Sequence, residues 1–409
     1  MKTLNNRIAF LAVLSLFFLW ALAHNLNPIL IPHLKFACRL NDMQSALVDS
    51  AFYIAYFLMA IPAAFIIRSW GYRKTIVAGL LLFATGAFLF YPASVLLSYS
   101  FFLLALFIVA SGLTFLETAA NPYVTILGDA ETATRRLNFA QSFNGLGASL
   151  AAFLGGKIIL SDNQINQIKI ESLNEIETHQ LLQVEAASVQ MPYLIIGGIV
   201  LLVALVFIFI PLPEISKQSQ QTSGSYINLM KESVTLRMAM FSQFLYVGAQ
   251  VGIGSFFIRL SVYQTAITNK EAAVYLSFAL LLFMIGRFVG TFLMNYIAPN
   301  RLMIVYSLTN MILMGIVMLS SGSVSLYALV GSFFFMSIMF PSIFSEGVKG
   351  LGDRAGMASS LIIMTIVGGA LFPVIMGFIS DKFSIPYAFI LPLSSFTWIA
   401  FHSYKLKQS

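Results

Sequence analysis

Four stripes of polar side chains stand at helical spacing inside long apolar runs of this sequence. Trp20, His24 and Asn27 are spaced by four and three, with Asn25 beside them and Pro28 one turn beyond His24. Residues three or four apart share one face of a helix. A proline at position 28 can break that helix and free backbone carbonyls to line a cavity. Glu117 and Asn121 lie one turn apart and precede Pro122 in a mostly apolar stretch. Low dielectric disfavours the charged form of a lone carboxyl. Glu117 therefore suits a site that takes a proton on one side of a barrier and releases it on the other. Asn138, Gln141 and Asn144 repeat every three residues. Three amides on one stripe offer donors and acceptors together, which suits the hydroxyl groups of a neutral polar solute. Gln243, Tyr246 and Gln250 form the fourth stripe, with Gly248, Gly252 and Gly254 interleaved. For every stripe a structural alternative stays open: a kinked helix, a buried ion pair or polar glue between helices.

Other polar residues read as structural. Arg287, in Gly286-Arg-Phe, and Glu346 are scaffold or gate residues, and Lys157 and Arg259 can snorkel from the ends of their helices. Asp49 is ambiguous. Ala148, Ala152 and Gly156 repeat every four residues, which reads as close helix packing. There is no P-loop, His-x-x-x-His pair, Ser-His-Asp arrangement or metal-ligand cluster. The expectation is no enzyme activity, no cofactor and no metal. ATP cannot drive such a chain unless a partner supplies it, so the energy source, if any, is an ion gradient. An anionic substrate is disfavoured, because the stripes contain no Arg or Lys.

The elements that must position these residues follow from composition. Of 409 residues, 59% are hydrophobic and 10% are charged, against about 25% charged in an ordinary soluble domain. Mean hydropathy is +0.87. Sixteen acids and 23 bases cannot cover a soluble surface of this size, so the solvent is a lipid bilayer. Soluble enzymes, nucleic-acid-binding proteins and disordered chains are excluded. The net charge of +7 fits basic loops on the cytoplasmic side. With one cysteine, Cys38, no intrachain disulfide is possible.

A spanning helix needs about 20 apolar residues. Twelve spans are expected: 8–32, 44–67, 75–93, 101–128, 138–160, 192–211, 236–261, 272–298, 302–320, 324–345, 355–379 and 385–403. The runs are too long and too uniform for β-barrel strands. Lys2 and Arg7 before an apolar run ending Ala21-Leu22-Ala23 imitate a signal peptide. The apolar run resumes at Ile29, and the first span is needed to set topology. With the N-terminus inside, fifteen Lys or Arg fall on inside segments and five on outside segments. Both termini are therefore expected in the cytoplasm. The outside loop 161–191 is acidic and expected to contain a short surface helix. Residues 212–235 read as a flexible polar linker. The chain thus divides into 1–211 and 236–409, two six-helix bundles around a central cavity that alternate access by rocking.

Several segments resemble a known family. Phe18-Leu-Trp20-Ala-Leu-Ala-His-Asn25-Leu-Asn27, Gln44-Ser-Ala-Leu-Val, Glu117-Thr-Ala-Ala-Asn121-Pro122, Arg136-Leu-Asn138-Phe-Ala-Gln141-Ser-Phe-Asn144, Gly286-Arg-Phe, Phe340-Pro-Ser-Ile-Phe and Ile366-Val-Gly-Gly carry the likeness. The pattern resembles the major facilitator superfamily, and within it the fucose:proton symporters. The superfamily loop motif is weaker, with Arg68 and Ser69 where an Asp-Arg pair is common. The resemblance implies a multi-pass protein of the bacterial inner membrane that imports a neutral sugar with a proton. L-fucose is the type substrate, with glucose or galactose in relatives. It implies that Glu117 couples the proton and contacts sugar, and that Gln141 and Asn144 bind sugar. Trp20, Asn25, Asn27, Asn121 and Gln250 complete the expected sugar contacts.

One departure stands out. The family's type member has a coupling aspartate where this chain has Pro28. His24, one turn away, and Asp49 are the nearest titratable replacements; histidine titrates near physiological pH. Coupling is expected to rest on Glu117 assisted by His24. Sodium coupling and uncoupled uniport or exchange remain alternatives. A drug efflux pump fits less well, since its cavity is more apolar. A non-transporting nutrient receptor would carry a signalling domain, for which neither terminus leaves room. The expected partners are a small neutral sugar, a proton or sodium ion and the lipid bilayer, with the protein as a monomer.

Overall fold

The computed structural model of the chain describes residues 2–25, 38, 42–158, 174–187, 189–210 and 225–408. Asn27, Pro28, residues 161–173 of the acidic loop and 212–224 of the linker lie outside the described residues, and nothing is drawn on the side chain of Asp49. Among the described residues fifteen α-helices follow in chain order: α1 Lys2–His24, α2 Asp42–Val95, α3 Tyr99–Ile126, α4 Ala133–Ile158, α5 Glu175–Ala187, α6 Gln190–Phe209, α7 Tyr226–Glu232, α8 Val234–Thr265, α9 Asn269–Leu293, α10 Pro299–Leu319, α11 Ser323–Met336, α12 Met339–Val348, α13 Ala355–Met364, α14 Gly368–Lys382 and α15 Ile390–Gln408. No strand occurs among the described residues.

Among the described residues, nine helices are long and apolar enough to cross a membrane. Three of the twelve expected spans are not counted separately among these nine. The second and third spans run together as α2 but are two helices parted by a kink at Gly71, where φ is 84° and ψ is 170°. A side chain at that φ would be strained, so glycine supplies the break between Arg68 and Arg73. α4 has 26 residues but carries the amide stripe, and it is not among the nine. Only Ala9–Leu22 of the first span reads as an apolar helix, a shorter one. The tenth span divides into α11 and α12. The eleventh divides into α13 and α14 across a 3-10 turn at Thr365–Val367. The acidic loop does hold a short helix, α5. The linker is helical in its last third, where Ser225 caps α7 and Leu229 is buried.

The chain forms two compact units, Met1–Ala119 with Leu150–Glu214 and Ala120–Ser149 with Ile215–Ser409. In the first unit α2 packs along α6 and against α5. Phe90 and Tyr193 stack there with ring centroids 3.7 Å apart. α2 and α3 cross closely because small residues face each other. A Cβ on Gly112 would meet the Phe83 backbone nitrogen at 2.5 Å, and one on Gly86 would meet that of Val109 at 2.5 Å.

In the second unit α8 packs against α12, α14 and α15, α9 against α11, and α10 against α11 and α15. Helix onsets are locally encoded. Ser233 caps α8 by accepting from Leu236 N. Thr268 and Glu271 form a reciprocal capping box at α9. Arg136 closes the end of α3 by donating to the carbonyls of Val124 and Thr125, the favourable placement of a cation at a helix C-terminus. Thr134 and Ser345 hydroxyls meet at 2.9 Å and Asn138 Nδ2 donates to Ser342 Oγ at 3.2 Å. These bonds join α4 to α12 and place Ala120–Ser149 in the second unit.

Candidate functional site

The sequence-derived residues fall into two clusters, one in each unit. In the first, Glu117 projects from α3 and is buried among apolar residues. Tyr56 of α2 donates its hydroxyl to Glu117 Oε1 at 2.9 Å. Tyr56 leans on Phe52 at 5.5 Å between ring centroids, and Phe52 meets the His24 ring edge-on at 4.9 Å. One turn back along α1, Trp20 is buried and tilted against Phe17 at 4.3 Å. The cluster is a carboxyl group at the end of an aromatic wall. Phe52 carries no exchangeable proton, so the order His24, Phe52, Tyr56, Glu117 is a packing order and not a proton wire. Asn25 donates from Nδ2 to Ala21 O at 2.7 Å, closing the end of its own helix.

The second cluster is an amide network around Arg287. Its guanidinium, from α9, donates through Nη1 to Asn144 Oδ1 at 3.2 Å, to Gln141 Oε1 at 3.5 Å and to the Gln141 backbone carbonyl. Nε donates to Ser337 O at 3.1 Å, and the guanidinium carbon lies 4.6 Å from the Phe283 ring centroid. Arg287 is 4% exposed. A cation in mid-bilayer costs about 2.5–3.5 kcal/mol on an insertion scale. A hydrogen bond to a charged group contributes about 1.5–3 kcal/mol, so this set offsets the cost. Gln141 Nε2 then donates to Asn121 Oδ1 at 3.2 Å. The absence of a side chain at Gly286 permits the arrangement: a Cβ there would meet Phe334 O at 2.5 Å and Ser337 Oγ at 2.6 Å.

The predicted amide stripe therefore splits. Gln141 and Asn144 join the Arg287 network, while Asn138 bonds Thr134 O and Ser342 Oγ between helices. The fourth stripe splits too. Tyr246 donates to Met336 O at 3.0 Å, a bond between helices. Gln250 is half-buried on α8. Both amide atoms of the buried Gln243 have no hydrogen-bond partner. A crevice of about 270 Å³ in the second unit is lined by Glu131, Thr134, Asn300, Ser345, Glu346 and Lys349, and by none of the network amides. Among the described residues no group of three His, Cys, Asp or Glu could hold a metal ion.

Two residues of these clusters escaped the sequence reading. Tyr56 stands one turn after Phe52 in an apolar run, and a polar-tipped aromatic there was its only signal. Arg287 was visible as a charge within a span but was read as scaffold or gate. The stripes themselves contain no Arg or Lys; the cation that meets Gln141 and Asn144 comes from a helix 146 residues from Gln141 in sequence.

A sequence profile of the Major Facilitator Superfamily matches residues 8–366. The chain belongs to the Major Facilitator Superfamily. This superfamily consists of transporters, not enzymes, and the chain is a multi-pass membrane protein. It is similar to the L-fucose-proton symporter of Escherichia coli strain K12, 41% identical over 96% of this chain and 91% of that one. It is also similar to a glucose/galactose transporter of Brucella abortus, 34% identical over 97% of this chain and 94% of the relative. A crystal structure of the superfamily transporter FucP in the outward conformation matches with a TM-score of 0.91 at 40% identity, covering 98% and 99% of the two chains. The proton:xylose symporter XylE shares the superfamily fold at a TM-score of 0.71 with 12% identity, over 99% of this chain and 96% of that one.

Proposed function

We propose that this protein is a secondary active transporter that imports a neutral sugar by proton symport and alternating access. The sugar is L-fucose or a related hexose such as galactose or glucose. The observation that carries this reading is Glu117, a buried carboxyl that accepts a hydrogen bond from the Tyr56 phenol beside an aromatic wall. Its relatives include L-fucose-proton symporters and glucose/galactose transporters.

Glu117 binds and releases the coupling proton. His24 is the other titratable group on that aromatic wall and assists. Gln141 and Asn144 hold sugar hydroxyls, with Trp20, Asn25, Asn27, Asn121 and Gln250 completing the contacts. The halves 1–211 and 236–409 rock about the sugar, joined by the linker 212–235. The protein works as a monomer in the bacterial inner membrane, with both termini in the cytoplasm. The excess of basic residues on the inside segments, fifteen against five, supports that orientation.

The substitution at Pro28 favours a second reading, in which sugar moves with sodium or without any ion. Uptake in proteoliposomes under an imposed pH gradient, with and without a sodium gradient, separates the two. Proton symport predicts accumulation driven by the pH gradient alone and abolished in Glu117→Gln. Undiminished uphill uptake in that variant would falsify the assignment. Counterflow of radiolabelled L-fucose, galactose, glucose and N-acetylglucosamine identifies the sugar; failure of all four rejects sugar transport.

A further inference from the structure

Arginine donates hydrogen bonds and accepts none. That chemistry dictates the orientation of each amide in contact with Arg287. Gln141 Oε1 and Asn144 Oδ1 must face the guanidinium, as they do at 3.5 and 3.2 Å. Gln141 must then turn its amide nitrogen the other way, and it donates to Asn121 Oδ1 at 3.2 Å. Asn121 in turn must present its own amide nitrogen at the far end. That nitrogen, Asn121 Nδ2, is buried and has no hydrogen-bond partner, on a residue of 0% exposure. Buried donors are almost always paired, and an unpaired one calls for an explanation.

We propose that Arg287 is a positioning residue for sugar recognition: it polarises the chain Arg287–Gln141–Asn121 so that it ends in an unpaired donor, Asn121 Nδ2, which receives an acceptor oxygen of the sugar. This rests on the reading of the protein as a neutral-sugar transporter. Arg287 does not touch the sugar. It decides which way round the amides face, and hence whether the sugar hydroxyl must accept or donate. The same logic applies at Asn144, whose carbonyl is held by Arg287. The ligand atom follows: an acceptor, which in a neutral sugar is a hydroxyl or ring oxygen.

The test exploits substitutions that reverse polarity without changing size. In Gln141→Glu, one carboxylate oxygen keeps the bond to Arg287 and the other can only accept. Asn121 must then rotate its nitrogen toward residue 141 and expose Oδ1, so the open end becomes an acceptor. Asn121→Asp makes the same reversal at the last position and serves if Gln141→Glu does not fold. Arg287→Lys keeps a donor at the head of the chain and preserves the polarity.

Dissociation constants are measured by calorimetry on purified protein in nanodiscs. The ligands are L-fucose and D-galactose, with monodeoxy and monofluoro-deoxy analogues at each position. A fluorine accepts weakly and cannot donate. At the hydroxyl that meets Asn121, the unaltered protein is expected to lose about tenfold with the deoxy analogue, the worth of one hydrogen bond, and distinctly less with the fluoro analogue. In Gln141→Glu and Asn121→Asp the two analogues should weaken equally, since neither donates. Arg287→Lys should bind more weakly than the unaltered protein yet keep its order of analogues, a rescue that a purely structural role does not predict. An order of analogues that is the same in the reversed-polarity variants as in the unaltered protein overturns the proposal. If the unaltered protein binds no sugar of either series while remaining folded, the transport reading itself falls, and the proposal with it.

Discussion

The two clusters solve opposite chemical problems. Around Glu117 there are the carboxyl itself, the Tyr56 phenol that donates to it and an aromatic wall. Around Arg287 there is a permanent cation and a set of amides, none of which changes protonation in the physiological range. The first arrangement offers an ionisable carboxyl and few directed hydrogen bonds. The second is rich in directed hydrogen bonds and blind to pH. On the proposed roles, the contrast gives proton chemistry and amide recognition to different sets of side chains, so each set is open to being disabled alone.

Substitution can break that comparison, and the largest effect is expected at the carboxyl. Glu117→Gln should abolish accumulation under a pH gradient while sugar counterflow persists. Loss of counterflow as well, in folded protein, would show that the carboxyl also carries recognition. Next come Gln141→Ala and Asn144→Ala. Each should weaken sugar binding by about 10–100-fold, since an amide contributes one or two hydrogen bonds, and should leave the proton-to-sugar ratio of flux measurements unchanged. A changed ratio merges the two clusters into one device.

Tyr56→Phe removes a single hydrogen bond from Glu117. Proton-driven uptake should slow about tenfold, with the sugar dissociation constant within about twofold of the parent. An affinity loss equal to that of Gln141→Ala would place Tyr56 on the recognition side. His24→Phe keeps the aromatic packing against Phe52 and removes only the titratable ring. Unimpaired uphill uptake would reduce His24 to a packing role; a loss of coupling would show that it shares the proton. The smallest effect belongs to Asn138→Ala, which breaks the α4–α12 bond to Ser342. It should cost about 1 kcal/mol of stability, read as a modest drop in thermal midpoint, with sugar affinity unaltered.

Much of the fold could be read from the sequence, because bilayer thickness imposes a minimum length on each apolar run. α3, α6, α8, α9, α10 and α15 fall where those runs stand. The internal breaks were harder. The division of α11 from α12, and of α13 from α14, lies within uniformly apolar sequence, where hydropathy has no contrast to offer. For the site, helical spacing identified the faces that carry Glu117, Gln141 and Asn144. It could not say what meets those faces. Tyr56 is 61 residues from Glu117, and Arg287 is 143 from Asn144, and no local periodicity reports on such pairings. Nor could spacing separate amides that join helices, such as Asn138, from amides that a cation has turned, such as Gln141. That distinction exists only once the partner helix is in place.

Gly286 has a consequence for anyone who selects mutants of this transporter by growth. A methyl group there would collide with Phe334 O and Ser337 Oγ, and the next residue along is the one that anchors the amides. A screen for lost uptake, scored without reference to any structure, should recover changes at a codon whose product has no side chain. They would look like folding defects by position and like binding defects by phenotype.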